Sequence, residues 1–298
     1  MHPHPGPLPG ERENIAVRLR HRTRYRFEHP AALAPHEIRL RPAPHTRSPV
    51  REYALRIEPR DAQVRWHHDP HDNWVARVTF PSLAPALDIE VELDVALEPF
   101  NPFDFYVEPW AMRYPFDYEP DMVRELAAYL TVDAPGQRLG AFVAELRSRM
   151  QGRATVDALA LANHSTFERV AYLTRDEQGV LQPEETLARG CGSCRDSAWL
   201  LVQALRHAGI AARFTSGYLV QLAREGGPRE DTLALHAWCE AFVPGAGWLG
   251  LDATSGLATA EGHIPLASVV LPASAAPVSG AFTGSAPALS FDMSVERV

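Results

Sequence analysis

Three side chains of the sequence have the chemical types that nucleophilic acyl transfer requires, and they occur in one order along the chain. Cys194 follows a Gly-Ser pair, His236 opens a His-Ala-Trp segment, and Asp252 lies in a Gly-Leu-Asp-Ala-Thr segment. A cysteine nucleophile needs an imidazole that moves protons and a further group that orients the imidazole. The sequence therefore offers Cys194, His236 and Asp252 as nucleophile, base and orienting carboxylate.

The residues after Cys194 predict a helix that starts at or just after the cysteine. Apolar residues recur with the 3.6-residue period of a helix face, at Ala198, Leu201, Val202 and Leu205. The amides and the positive dipole end of a helix N-terminus favour a thiolate at this position. The location of Cys194 thus predicts a nucleophilic cysteine.

His236 and Asp252 fall on neighbouring predicted strands, so their proximity depends on the register of one hairpin. If Val243 pairs with Trp248, Asp252 lies on the opposite face from His236. If Val243 pairs with Gly247, the two side chains lie diagonally on one face. The triad interpretation therefore predicts the second register or a bulge.

The segments around these residues resemble the three core motifs of the transglutaminase-like superfamily, in the same order. The motifs read Gly192-Ser193-Cys194-Arg195-Asp196, His236-Ala237-Trp238 and Gly250-Leu251-Asp252-Ala253-Thr254. The chain up to about residue 97 and the Asn101-Pro102-Phe103-Asp104-Phe105 connector resemble the N-terminal region of the bacterial cysteine protease branch.

The resemblance implies a papain-like catalytic domain, in which a cysteine helix packs against an antiparallel sheet that carries the histidine and the aspartate. It also implies the roles of nucleophile for Cys194, general base and acid for His236, and imidazole orienter for Asp252. An oxyanion donor is needed as well. The Cys194 backbone N–H is one candidate, and the resemblance suggests the Tyr172 side chain as a weaker one.

Periodicity and turn residues predict an α+β fold that is built around these motifs. The clearest strand is Asp88–Leu97, where apolar and acidic residues alternate, and a helix is predicted over about Val156–Tyr172. The predicted organisation comprises a disordered N-terminus at 1–14, an antiparallel β-sandwich domain at 15–98, a proline- and aromatic-rich connector at 99–120, the catalytic domain at 121–272, and a tail at 273–298 whose alternating end could return as a strand.

Composition and charge narrow the classes of partner. A net charge of −8 argues against a nucleic-acid-binding face, and no apolar run reaches the length of a membrane span. Without a signal-peptide pattern at residue 1, the expected location is the cytoplasm. We expect a peptide or protein substrate that carries an amide, with no cofactor and no metal. The sequence does not indicate an oligomeric state, and it contains no evident calcium-loop motif.

Several interpretations of the chemistry stay open. Water as acyl acceptor gives a protease or amidase, an amine gives a transglutaminase, and the branch that the chain resembles favours hydrolysis. The sequence also contains two closely spaced pairs of potential zinc ligands, Cys191 with Cys194 and His236 with Cys239. This spacing is found in zinc modules. A non-catalytic binding module on the same fold is a third interpretation.

The helix-terminal position of Cys194 generates a first prediction. Iodoacetamide at about pH 6 should label Cys194, because an activated cysteine reacts there whereas a buried ordinary thiol does not. Peptide mass spectrometry after labelling of the native protein reads the result. Labelling of Cys194 no faster than that of the other cysteines would contradict the assignment of an activated thiol.

Overall fold

A computed structural model describes residues 14–175, 177–223 and 228–298 of the chain. Except for Asn14, the predicted disordered N-terminus lies outside the described residues. The strands are β1 (Ile15–Ala31), β2 (His36–Ile38), β3 (Val50–Glu58), β4 (Gln63–His68), β5 (Trp74–Thr79), β6 (Ala84–Leu97), β7 (Ala171–Tyr172), β8 (Cys191–Gly192), β9 (Ala212–Gln221), β10 (Thr232–Val243), β11 (Gly247–Asp252), β12 (Leu257–Ala258), β13 (His263–Val269), β14 (Val278–Ser279) and β15 (Ala288–Arg297). The helices are α1 (Pro120–Glu125), α2 (Ala127–Leu130), α3 (Gln137–Met150), α4 (Thr155–Arg169), α5 (Pro183–Arg189) and α6 (Cys194–His207). Short 3-10 turns occupy Pro109–Ala111 and Pro272–Ala275.

The N-terminal region is made of two antiparallel sheets whose apolar faces share one core. Their strand orders are β15-β1-β6-β3 and β14-β2-β5-β4. The apolar positions of β6 from Ile89 to Val95 are at most 1% exposed. The acidic residues between them form ion pairs with arginines of β1 and β3, for example Arg18 with Asp94 at 2.7 Å. Strict alternation thus separates a buried face from a charged face, and the predicted N-terminal β-sandwich is confirmed.

The second region packs helices against a five-stranded antiparallel sheet of order β12-β11-β10-β9-β13. Helix α6 lies on this sheet, and its apolar residues share a core with β9, β10 and β11. Helices α3, α4 and α5 contact α6 in turn. This is the predicted catalytic architecture of helices on an antiparallel sheet. No helix in the described parts of the chain is long and apolar enough to cross a bilayer.

The two regions are joined by buried polar contacts. His21 of β1 lies 2.9 Å from the hydroxyl of Tyr218 on β9, and both residues are buried. Asn73 donates to the carbonyl of Ser268 and accepts from its N–H, at 3.0 and 2.9 Å. At the other end of the chain, β15 pairs with β1 along ten residues. The last strand thus belongs to an N-terminal sheet.

One predicted helix ends earlier than its apolar pattern suggested. The helix that we predicted over Val156–Tyr172 ends at Arg169, because Val170 is extended with φ −120° and ψ 103°. Ala171 and Tyr172 then form β7, parallel to β8. Tyr172 therefore lies on a strand beside the cysteine segment rather than at the end of a helix.

Burial of His21 predicts a pH-dependent contribution to stability. Burial lowers the pKa of His21 from 6.5 to about 4, so the unfolded chain binds a proton more readily than the folded protein. The His21 contribution is present above about pH 6.5 and is lost as the pH falls toward about 4, by about 3 kcal/mol in total. Urea unfolding across this range should show a shallower pH dependence for His21→Gln. His29 is exposed, so His29→Gln should match the wild type; equal slopes for all three proteins would contradict the prediction.

Candidate active site

Cys194 is the first residue of α6, as the sequence predicts. Ser193 precedes it with extended backbone, φ −81° and ψ 175°, and the helix runs on to His207. The first amides of a helix have no carbonyl one turn earlier to bind, so the Cys194 N–H lies at the positive end of the helix dipole. Cys194 is a free, half-buried cysteine.

Asp196, two residues after the cysteine, holds this helix start in place. Its fully buried carboxylate accepts the N–H and the hydroxyl of Ser193, both at 2.8 Å, and the N–H of Leu181, also at 2.8 Å. Arg175 donates to it at 3.0 Å. Burial alone would raise the pKa of Asp196, but these donors lower it below its ordinary value. A side chain on Gly192 would lie 2.8 Å from Asp196 Cβ, so this close approach requires glycine.

The β10–β11 hairpin adopts the register that the triad interpretation requires. Val243 pairs with Gly247, and the ladder continues to Cys239 opposite Leu251. Asp252 therefore lies diagonally across from His236 on the same face. His236 Nε2 is 3.2 Å from Asp252 Oδ1, and their side chains are 9% and 4% exposed. The hairpin thus places a buried imidazole against a buried carboxylate.

His236 contacts both of the other predicted site residues. Burial opposes its charged form, but the interactions of the imidazole with the Asp252 carboxylate and with the Cys194 side chain raise its pKa to about 9. The structure therefore brings Cys194, His236 and Asp252 into one contiguous cluster. In this environment the imidazolium is favoured at neutral pH.

Asp252 lies at the centre of a wider set of donors than the sequence suggests. Its carboxylate accepts the Thr254 N–H at 2.8 Å and the Ser255 hydroxyl at 3.0 Å. His263 Nε2 faces its second oxygen, Oδ2, at 3.6 Å. Burial would raise the pKa of Asp252, but the two histidines and the Thr254 amide hold it well below its ordinary value. Asp252 is thus a fixed negative charge inside the protein.

Tyr172, the predicted oxyanion side chain, lies near the cysteine on a surface of the protein. It pairs with Gly192 in the short parallel ladder of β7 and β8, two residues before Cys194, and it is 59% exposed. Its role as an oxyanion donor stays a prediction.

The predicted zinc ligands do not come together as a set of four. Cys239 is fully buried in the core between α6 and the sheet, and burial raises the pKa of its thiol. Among the residues that the structure describes, the clusters with metal-ligand spacing include neither Cys191 nor Cys239.

One histidine–carboxylate cluster does have metal-ligand spacing: His236, Asp252 and His263 offer atoms that lie within 4.8 Å of one another. His263 Nδ1, however, accepts the Ala260 N–H at 3.2 Å, so a neutral His263 carries its proton on Nε2, the nitrogen that faces the cluster. Metal-ligating histidines instead donate through the nitrogen that is not on the metal. The local hydrogen bonding therefore disfavours a metal here. His263 has no motif or spacing signal in the sequence and was not among the predicted site residues.

Two protein-family models match separate parts of the chain. The bacterial transglutaminase-like N-terminal region matches residues 17–96, which contain most of the N-terminal sheets. The transglutaminase-like superfamily model matches residues 142–253, which contain Cys194, His236 and Asp252. Both agree with the resemblance that the sequence motifs suggest.

Comparison with curated proteins finds mycobacterial relatives of nearly the same length. The uncharacterized protein ML0607 of Mycobacterium leprae is 26% identical over 284 residues, which are 90% of this chain and 93% of the relative. The uncharacterized protein Rv2569c of Mycobacterium tuberculosis is 26% identical over 252 residues, 80% of this chain and 78% of the relative. The similarity thus extends across both regions of the chain.

A solved structure shares the fold. The crystal structure of a candidate cysteine protease from Cytophaga hutchinsonii superposes with a TM-score of 0.69 at 16% identity, covering 96% of this chain and 91% of that one. At this identity the comparison establishes architecture alone. It confirms the predicted α+β fold, in which the transglutaminase-like domain is papain-like.

The hydrogen bonds of Asp196 predict a large stability effect. Asp196→Asn should lower the free energy of unfolding by about 3–5 kcal/mol, because it removes the charge that pairs with Arg175 and leaves fewer acceptor oxygens for the buried donors of Ser193 and Leu181. It should also slow alkylation of Cys194 by loosening the helix start. The matched control is Asp121→Asn, which removes an exposed ion pair with Arg124 and should cost no more than about 0.5 kcal/mol. Urea unfolding measures both variants, and equal losses would refute the structural role.

Proposed function

This chain belongs to the transglutaminase-like superfamily, and from that membership we propose that it catalyses thiol-dependent acyl transfer at an amide bond of a peptide or protein, with water as the usual acceptor. The observation that carries the proposal is that Cys194, at the start of α6, lies beside His236, which in turn contacts Asp252. A buried structural cysteine would need neither the paired imidazole nor the ionised carboxylate.

In the proposed first step, the Cys194 thiolate, beside protonated His236, attacks the carbonyl carbon of the amide. A carbon–sulfur bond forms as the carbonyl π electron pair moves to the oxygen, and the pair returns when the leaving group departs. His236 then transfers its proton to the amide nitrogen, the carbon–nitrogen bond breaks, and the amine leaves. A thioester remains on Cys194, and His236 is neutral. Asp252 keeps the imidazole oriented. It also stabilises the imidazolium, which gives a proton in the first step and forms again in the second.

In the second step, neutral His236 removes a proton from the acceptor as the acceptor attacks the thioester carbon. The carbon–sulfur bond breaks and the thiolate is restored. With water the product is a carboxylic acid, and with a primary amine it is a new amide. Hydrolysis and transfer therefore differ only in the acceptor that reaches the thioester.

Negative charge develops on the carbonyl oxygen in both steps and needs donors that are already in place. The Cys194 N–H, at the start of α6, is suited to this role. The Tyr172 hydroxyl is the second candidate, since Tyr172 lies on the strand beside Gly192. Tyr172→Phe tests it: loss of one oxyanion donor should lower kcat by about 10²-fold with little change in KM.

Product analysis tests the reaction itself. We expect incubation of the full chain with a peptide library to yield cleaved or deamidated products by mass spectrometry, with few amine adducts when a primary amine is added. Cys194→Ala should reduce turnover by at least about 10³-fold. The matched control is Cys191→Ala, which removes the half-buried cysteine of β8 and should retain activity. Equal turnover by the wild type and Cys194→Ala would contradict the proposed mechanism. Predominant amine adducts would identify a transglutaminase instead of a hydrolase.

The raised pKa of His236 predicts how activity depends on pH. The pKa of His236 in the folded protein, about 9, lies above the ordinary value of 6.5. His236 therefore holds the proton that the leaving amine needs at neutral pH and loses it as the pH rises through about 9. We expect kcat/KM for an amide substrate to fall above about pH 9. Alkylation of Cys194 by iodoacetamide needs no proton from His236 and should not fall there. A parallel decline of both rates would point to unfolding rather than to His236.

A further inference from the structure

His263 is a second imidazole at Asp252, and it lies outside the family motifs. It opens β13, where it pairs with Leu219 of β9, and its side chain is 12% exposed. Its Nε2 lies 3.6 Å from Asp252 Oδ2, while His236 Nε2 lies 3.2 Å from Oδ1. The carboxylate of Asp252 therefore lies between two histidines, one at each oxygen.

The protonation of His263 follows from its other ring nitrogen. The Ala260 N–H donates to Nδ1 at 3.2 Å, and a nitrogen that accepts a hydrogen bond carries no proton. A neutral His263 must then carry its proton on Nε2. This Nε2 is buried and has no hydrogen-bond partner of ordinary geometry in the described structure, and Asp252 Oδ2 is a carboxylate oxygen 3.6 Å from it.

The ring of His263 is also held by its neighbours. It packs edge-on against Trp238, with ring centroids 5.3 Å apart, and it lies 5.9 Å from the ring of His236. The Trp238 indole donates in turn to the buried Glu240 at 3.3 Å. The antiparallel pairing of β13 with β9 restrains the backbone of His263. The imidazole thus has a fixed place from which to act on the carboxylate.

We propose that His263 is a positioning residue, which holds Asp252 Oδ2 through its Nε2–H so that Oδ1 stays directed at His236. Active-site contacts that are long in a free enzyme often tighten when substrate binds, and the 3.6 Å contact has room to shorten. Without this donor the carboxylate keeps the hydrogen bonds from the Thr254 amide and the Ser255 hydroxyl, which come from its own turn, but it loses its contact with β13. A rotation that carries Oδ1 away from His236 then meets less resistance during proton transfer.

The expected effect on turnover rests on the proposed function, whereas the proposed contact of His263 with the Asp252 carboxylate does not. Rotation of Asp252 misplaces a group that acts in the chemical step, so kcat should fall while substrate binding persists. The His236 Nε2–H to carboxylate contact can be observed directly as a downfield proton resonance in NMR spectra, and this signal requires no turnover.

The experiment compares two substitutions at His263 with a remote control. His263→Leu removes the donor and keeps an apolar side chain against Trp238. His263→Gln keeps an N–H near the position of Nε2. His36→Leu is the control, since His36 is a buried histidine of an N-terminal sheet. We expect kcat to fall about tenfold or more in His263→Leu with KM within about twofold, as for loss of a supporting contact, and to recover largely in His263→Gln.

The NMR measurement separates this proposal from the proposed function. The downfield His236 resonance should broaden or vanish in His263→Leu and persist in His263→Gln and His36→Leu. A folded His263→Leu protein with an unchanged resonance and unchanged kcat would overturn the proposal. If the wild type lacks turnover, the proposed function fails while the resonance still decides the role of His263. If His263→Leu does not fold, the wild type and His263→Gln decide: the role is overturned if either protein lacks the downfield resonance.

A metal titration supplies an independent check. Zn²⁺ that binds at one equivalent per chain in the wild type, and not in His263→Leu, would overturn the proposal. A metal on Nε2 requires the proton of His263 to lie on Nδ1, opposite to the arrangement proposed here.

Discussion

A carboxylate that stays ionised inside the protein, Asp252, is the interaction on which the rest of the site depends. A buried charge is costly unless donors surround it, and here two histidines, a backbone amide and a hydroxyl do so. These donors come from β10, β13 and the turn after β11. The negative charge thus connects three segments of the catalytic sheet, and it also favours the imidazolium form of His236.

A second buried carboxylate, Asp196, performs the corresponding task for the nucleophile. It connects the start of α6 to Leu181 and Arg175, which belong to the loop between β7 and α5. Its position two residues after Cys194 means that the helix start and the cysteine move together. One acid therefore positions the thiol and the other positions the imidazole, and the sheet and α6 set the distance between them.

The N-terminal sheets are part of the framework that supports the catalytic sheet. Tyr218 of β9 is fully buried against His21 of β1, and Asn73 binds the backbone of Ser268 on β13 much as a neighbouring strand would. Strand β13 also carries His263. By binding β13, the N-terminal region therefore helps to fix the position of His263 beside Asp252.

The sequence by itself determined the elements whose signals are local, whereas tertiary pairing decided how they meet. The alternation in β6 and the helical period after Cys194 predict their elements because each pattern repeats over a few neighbouring residues. The chemical types of Cys194, His236 and Asp252 likewise identified the candidate triad. The hairpin register was left between two alternatives, since the turn permits both, and the packed sheet adopts the one that places Asp252 beside His236. Arg175 and His263 had no sequence signal, because they meet Asp196 and Asp252 only through contacts between segments that local periodicity does not relate.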